Sequence, residues 1–64
     1  MTLFNNIKSL LDEKGIPVVE FERKIGLQRG GFYKWYNHEP AASKVKAAAD
    51  YLGVSVETLM TEKE

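Results

Sequence analysis

Apolar side chains recur every three or four residues along most of the chain, which is the spacing of one face of an α-helix. Glycine and proline residues, which interrupt helices, separate the apolar runs. The pattern predicts an all-α fold of five helices in a single domain over residues 1–64. The predicted helices cover about residues 3–14, 17–25, 29–37, 42–52 and 56–61.

Residue types at the helix ends agree with these boundaries. Thr2 can act as the N-cap of the first helix, and Ser55 can do the same for the fifth. Gly15 is the residue type favoured just beyond a helix C-terminus, where the backbone turns left-handed. The last three residues, 62–64, are expected to be frayed.

The predicted core takes one apolar stripe from each helix. Its members are Leu3, Ile7, Leu10, Leu11, Phe21, Ile25, Phe32, Trp35, Val45, Ala49, Leu52, Val56 and Leu59. Tyr36 lies on the same predicted stripe as Phe32 and Trp35. A chain this short buries only about 60% of the surface that it exposes when unfolded, so its stability is expected to be modest.

The second and third predicted helices meet at a tight turn around residues 26–27. In the third helix, polar positions fall at the spacing of a single outward ridge, namely Arg29, Gly30, Tyr33, Lys34 and Asn37. Two helices joined by a tight turn, of which the second presents hydrogen-bonding side chains, form the outline of a DNA-binding helix-turn-helix.

Charge is distributed unevenly along a chain whose formal net charge is zero. Positions 23–46 hold six basic residues and one acidic residue, a balance of +5, whereas the remainder has three lysines against eight acidic residues. The positive charge therefore surrounds the third predicted helix, as expected of a surface that contacts nucleic acid.

Several short motifs occur in register with those of a known family. They are Lys14-Gly15-Ile16, Phe21, Ile25-Gly26-Leu27, Phe32, Lys34-Trp35, Asn37, Ala49-Asp50-Tyr51-Leu52-Gly53-Val54-Ser55-Val56 and Leu59-Met60. Over nearly its whole length the chain resembles the phage repressor and Cro-type (XRE-like) helix-turn-helix domain, and it is most similar to prophage-encoded regulators. The resemblance implies a lambda-repressor-like fold with the helix-turn-helix at helices two and three.

The resemblance also implies a function and a set of DNA contacts. The chain is expected to be a transcriptional regulator, either a repressor or Cro-like protein or the N-terminal DNA-binding domain of one. It is expected to bind a double-stranded DNA operator as a homodimer. Base contacts are expected from the recognition helix, at Arg29, Gly30, Tyr33 and Lys34. Phosphate contacts are expected from Gln28, Asn37, Ser43, Lys44 and Lys46. Val56 and Met60 in the last helix are the expected dimer contacts.

Two positions depart from the family pattern. Val18 stands where family members often carry a glutamine that reaches a phosphate, which valine cannot do. Glu22 stands where a small residue is usual, at the crossing of the second and third helices. Its carboxylate could accept N–H groups at the start of the third helix or pair with Arg29, and the alternative is that it bends outward into solvent.

Consecutive glycines at positions 30 and 31 are unfavourable in a helix interior, by about 1 kcal/mol each relative to alanine. They can be explained by a close approach of the third helix to the second at Gly31, or of the backbone at Gly30 to DNA. A third explanation is that the helix begins later and both glycines belong to the turn.

The residue inventory also limits the other functions. With no cysteine and one histidine, His38, neither a disulfide, a zinc site nor a cofactor is expected, and no catalytic constellation can be assembled. No long apolar run or signal peptide is present, so a cytoplasmic protein without a membrane span is expected. The alternative to DNA binding is a protein-interaction module on the same fold, favoured by Val18, by Gly30 and by the zero net charge.

Overall fold

A computed structural model describes residues 2–61, and these residues form five helices without a strand. The helices are α1 (Thr2–Lys14), α2 (Val18–Ile25), the 3-10 helix η1 (Gly31–Tyr36), α3 (Ala42–Leu52) and α4 (Val56–Met60). The predicted all-α fold with five helices is therefore confirmed. The fraying predicted for residues 62–64 falls outside the described residues.

The ends of the first and last helices are closed by local hydrogen bonds. Gly15 has a φ of 69°, and the amide of Ile16 donates to the carbonyl of Leu11 at 2.9 Å, which is the bond pattern of a Schellman C-cap. The predicted N-cap at Ser55 is confirmed, because its Oγ accepts the amide of Thr58 at 3.0 Å. Thr2 is already the first residue of α1 and is not an N-cap, contrary to the prediction.

The core is built around packed aromatic rings. Phe21 and Phe32 are completely buried and meet edge to face with their ring centroids 5.3 Å apart, and Trp35 lies 5.6 Å from Phe32. The remaining buried apolar residues are Leu3, Ile7, Leu11, Ile25, Val45, Ala48, Ala49, Leu52 and Leu59. Two predicted core residues were wrong: Leu10 is only partly buried, and Val56 is 39% exposed because it begins the short α4, of which only Leu59 is buried.

Tyr36 was also predicted wrongly, since 57% of it is exposed. The reason is the 3-10 geometry of η1, in which side chains three residues apart lie directly above one another. Phe32 and Trp35 share the buried face, and Tyr36 therefore follows Tyr33 onto an exposed face. On that face the Tyr36 ring packs edge-on against Phe4, at a centroid distance of 5.5 Å.

A buried asparagine joins the first helix to the end of the last one. Asn6 is 3% exposed, and its Nδ2 donates to the carbonyl oxygens of Leu59 at 2.7 Å and Thr61 at 2.6 Å. The last carbonyls of a helix have no partner within the helix. The α1 side chain therefore holds the end of α4 against the core.

Replacing Asn6 by alanine should lower the free energy of unfolding by about 1–2 kcal/mol, because two carbonyls lose their donor and one of those bonds is buried. Urea denaturation followed by Trp35 fluorescence would measure the change. The neighbouring Asn5 is exposed, and Asn5→Ala should alter the free energy by less than about 0.5 kcal/mol. Equal midpoints for the two variants would contradict this role of Asn6.

Candidate nucleic-acid interface

A tight turn over residues 28–31 connects α2 to η1. The amide of Gly31 donates to the carbonyl of Gln28 at 2.8 Å, and Gly30 has a φ of 84° and a ψ of −5°. Arg29 keeps a negative φ, because every positive-φ residue among residues 2–61 is a glycine. These values define a type II turn, which requires glycine at its third position and places Arg29 at its exposed corner.

The third helix is consequently shorter than predicted and of a different type. Residues 29–37 were predicted as one helix, but Arg29 and Gly30 belong to the turn and Asn37 follows η1. The helix does begin later than predicted, and Gly31 is both the last residue of the turn and the first residue of η1. A close approach of η1 to α2 at Gly31 is not observed: a Cβ there would meet the side chain of Leu27, at 3.6 Å.

Glu22 of α2 binds the start of η1 with both carboxylate oxygens. Oε1 accepts the amide of Gly30 at 3.1 Å, and Oε2 accepts the amide of Phe32 at 2.9 Å. The residue is 2% exposed, so the interpretation as a cap is confirmed and the solvent-facing alternative is wrong. None of the ion pairs within residues 2–61 involves Arg29, so the proposed pairing of Glu22 with that residue is not observed.

Lys44 of α3 binds the opposite end of the same connection. Its ammonium donates to the carbonyl oxygens of Ile25 at 3.1 Å and Gly26 at 3.4 Å, where α2 ends. A positive charge at a helix C-terminus is favourable because the unpaired carbonyls there carry partial negative charge. The half-buried Lys44 thus connects α3 to the end of α2. The sequence had predicted a phosphate contact for Lys44 and not this one.

The predicted single ridge of polar residues is divided into two rows by the 3-10 geometry. Tyr33 and Tyr36 form one row and Lys34 starts another, because residues three apart are eclipsed in η1, while Asn37 lies just beyond the helix. Tyr33 is 54% exposed and its ring lies 6.3 Å from that of Phe4. Most predicted contact residues are exposed, namely Gln28, Arg29, Tyr33, Lys34, Asn37, Ser43 and Lys46, and Gly30 is half-buried like Lys44.

Two shallow grooves bring part of the predicted site together. One of about 270 Å³ is lined by Arg29, Gly30 and Tyr33 together with Val18, Val19 and Glu22 of α2. The other, of about 370 Å³, is lined by Gln28 and Arg29 and by five residues that were not predicted to be part of the site: Val19, Glu22, Arg23, Gly26 and Leu27. Neither groove is lined by Lys34, Asn37, Ser43, Lys44 or Lys46.

A family model described as the Cro/C1-type HTH DNA-binding domain matches residues 6–63. The chain belongs to this family. The match covers α2, the turn and η1, which form the helix-turn-helix (HTH), and it confirms the predicted resemblance. A search of curated proteins and a search of solved structures each returned no match.

The ion pairs of this HTH domain leave most of its basic residues accessible. Lys46 lies 3.8 Å from Asp50 and Arg23 lies 3.8 Å from Glu20, and such long pairs between exposed groups contribute little to stability.

On α1, the hydrogen bond of Lys8 to Asp12 raises the pKa of Lys8, with a smaller contribution from Tyr33. No helix within residues 2–61 is both long and apolar enough to cross a membrane.

The groove residue Arg23 was not predicted to contribute to the site. It is exposed, and it lines the larger groove with Gln28 and Arg29. The signal that could have identified it is its place at the start of the basic segment, positions 23–46.

Gly30→Ala should lower the free energy of unfolding by about 1–2 kcal/mol, because a residue with a Cβ is strained at a φ of 84°. Space is not the reason, since no atom lies within 4 Å of the added Cβ. Gly31→Ala is the matched control: its φ is not positive, and it should stabilise the domain by about 0.4–1 kcal/mol. Thermal unfolding of both variants would measure the two changes in free energy. Changes of the same sign would argue against the type II turn.

Lys44→Met should lower the free energy of unfolding by about 0.5–1 kcal/mol, because the carbonyls at the end of α2 lose a charged donor. Lys46→Met removes the same charge from an exposed side chain of the same helix and should leave stability nearly unchanged. Denaturant midpoints measured at low and moderate salt would compare them. Equal loss from both variants would show that the Lys44 contact has no energetic importance.

Proposed function

We propose that this HTH domain is a sequence-specific regulator of transcription, a phage-type repressor or a Cro-like protein, that reads double-stranded DNA through η1 and the turn before it. The observation that carries the proposal is the hydrogen-bonded turn that presents Arg29 at its exposed corner, directly before η1. The family match supports DNA as the partner. Such a regulator would act in the cytoplasm, where operator DNA is found.

Base reading is assigned to the residues that surround this corner. Arg29 and Lys34 carry donors that suit the O6 and N7 atoms of guanine in the major groove. Tyr33 offers a ring edge to a thymine methyl group and a hydroxyl to a phosphate. Gly30 adds no side chain where space is open, which allows the backbone to approach the base edges.

Phosphate binding is assigned to residues on both sides of η1. Gln28 lies just before it and Asn37 just after it, while Ser43 and Lys46 lie in the first two turns of α3. The N-cap position of α3, Ala41, has no side-chain acceptor, so the first amides of that helix are open to an anion. Lys44 uses two donors internally, and the third N–H of its ammonium can serve a phosphate.

The proposed homodimer would form through α4. Val56 and Met60 are 39% and 49% exposed, and they line an apolar groove of about 360 Å³ with Leu3, Glu39, Pro40, Ala42 and Val45. Because one HTH domain reads only a short half-site, a two-fold operator requires a second copy.

A protein-interaction module remains the second candidate. Val19 on α2 is 53% exposed and forms part of both grooves beside the turn, which gives that surface an apolar contact point for another protein. Val18, next to it, cannot provide the polar phosphate contact usual in the family. The two functions differ in whether substitution of the basic residues Arg29 and Lys34 weakens DNA binding.

Selection of bound duplexes from a random pool would give the preferred site, and variants can then be compared on it. Arg29→Ala and Lys34→Ala should each lose about 1–3 kcal/mol of binding free energy on that site and relax the preference at one base pair. Lys46→Ala should weaken all duplexes alike and reduce the slope of log K against log salt by about one.

Lys14→Ala is the control for these variants, because it removes a positive charge at the end of α1, outside the basic segment. It should change neither the preference nor the salt slope. Binding that is insensitive to Arg29→Ala and to Lys34→Ala would favour the protein-interaction module.

A further inference from the structure

We propose that Glu22 is a positioning residue for sequence discrimination: its carboxylate fixes the orientation from which Arg29 reads DNA. The inference rests on the proposed function, and it assigns to a buried residue of α2 a role at bases that it does not touch. A residue that served only to stabilise the fold would affect how much protein is folded and not which sequences the folded protein prefers.

The first step is the position of the two accepted amides. They belong to Gly30, the third residue of the type II turn, and to Phe32, the second residue of η1. The carboxylate therefore bridges the junction between the turn and the helix. Arg29 immediately precedes Gly30, the first of these two residues. The junction therefore also sets the direction of the Cα–Cβ bond of Arg29.

The second step is the lack of other restraints on Arg29. Its side chain is exposed and takes part in none of the ion pairs of residues 2–61. The turn itself is closed by one backbone bond, from Gly31 to Gln28, around a glycine that is free to adopt many conformations. The carbonyl of Gly30 also accepts the amide of Tyr33, at 3.2 Å. Without Glu22, these two backbone bonds alone would have to hold the corner.

The third step concerns which anion occupies the start of η1. Amides at the beginning of a helix attract negative groups, and a DNA phosphate would otherwise compete for them. Both oxygens of Glu22 already accept these amides, and the residue is 2% exposed. The domain is therefore directed to bind DNA through side chains at the corner and not through the amides of Gly30 and Phe32.

The effect of losing this contact should be local. The other end of the connection is held separately, since Lys44 binds the carbonyls of Ile25 and Gly26. Phe32 also remains fixed by its ring, which is completely buried. Loss of the carboxylate should therefore loosen the corner that carries Arg29 while α2 and η1 stay in the core.

The test compares Glu22→Gln with Glu20→Gln. Glutamine keeps the size of Glu22, but its NH2 group cannot accept an amide, so one of the two bonds is lost. Glu20 is on the same helix, bonds no part of η1, and its side chain is 43% exposed, so Glu20→Gln controls for the removal of one negative charge near DNA.

Two quantities should be measured for each protein. The first is the ratio of dissociation constants for scrambled duplex and for the selected site, from which any difference in folded fraction cancels. The second is amide hydrogen exchange at Gly30 and Phe32 without DNA. In Glu22→Gln, the ratio should fall about tenfold and exchange at these amides should accelerate, whereas Glu20→Gln should keep the wild-type ratio.

The outcomes separate the two proposals. A selective wild type and an equally selective Glu22→Gln protein would overturn the positioning role while leaving the proposed function intact. A wild type that shows no sequence preference would overturn the proposed function, and the positioning role with it. If Glu22→Gln is too unstable to measure at room temperature, the ratio is measured at low temperature in a stabilising osmolyte and is subject to the same criterion.

Discussion

A carboxylate removed from water must find donors for both oxygens, and this requirement at Glu22 shapes the connection between α2 and η1. The donors available are the amides of Gly30 and Phe32, two residues apart on the chain. To present both amides to one carboxylate, the chain passes through a type II turn before the helix begins. The late start of η1 and the exposed corner at Arg29 are both associated with this arrangement.

Much of the fold could be predicted from local patterns. Helical periodicity located the elements, and glycine at position 15 and serine at position 55 marked two of their ends, because these signals act within one turn of a helix. The 3-10 form of η1 could not be predicted in this way. Over six residues, spacings of three and four residues fit both helix types. The type of helix determines whether Tyr36 is buried or exposed.

Contacts between distant parts of the chain gave no sequence signal. Asn6 bonds residues more than fifty positions away, and Lys44 bonds carbonyls eighteen and nineteen positions before it. In both cases a side chain bonds to a backbone carbonyl. Every residue has such a carbonyl, so the sequence does not show which one is the partner. The candidate site was likewise predicted only in part. Residue types and positions indicated Arg29 and Lys34. The two rows of η1 and the place of Arg23 in the groove became clear only from the structure.

The 3-10 geometry of η1 also changes how far the segment reaches. A 3-10 helix rises about 2.0 Å per residue and an α-helix about 1.5 Å, so six residues extend about 12 Å instead of about 9 Å. Successive base pairs along a duplex are about 3.4 Å apart. The segment Gly31–Tyr36 is thus as long as three to four base-pair steps, about one step more than the same residues would span as an α-helix.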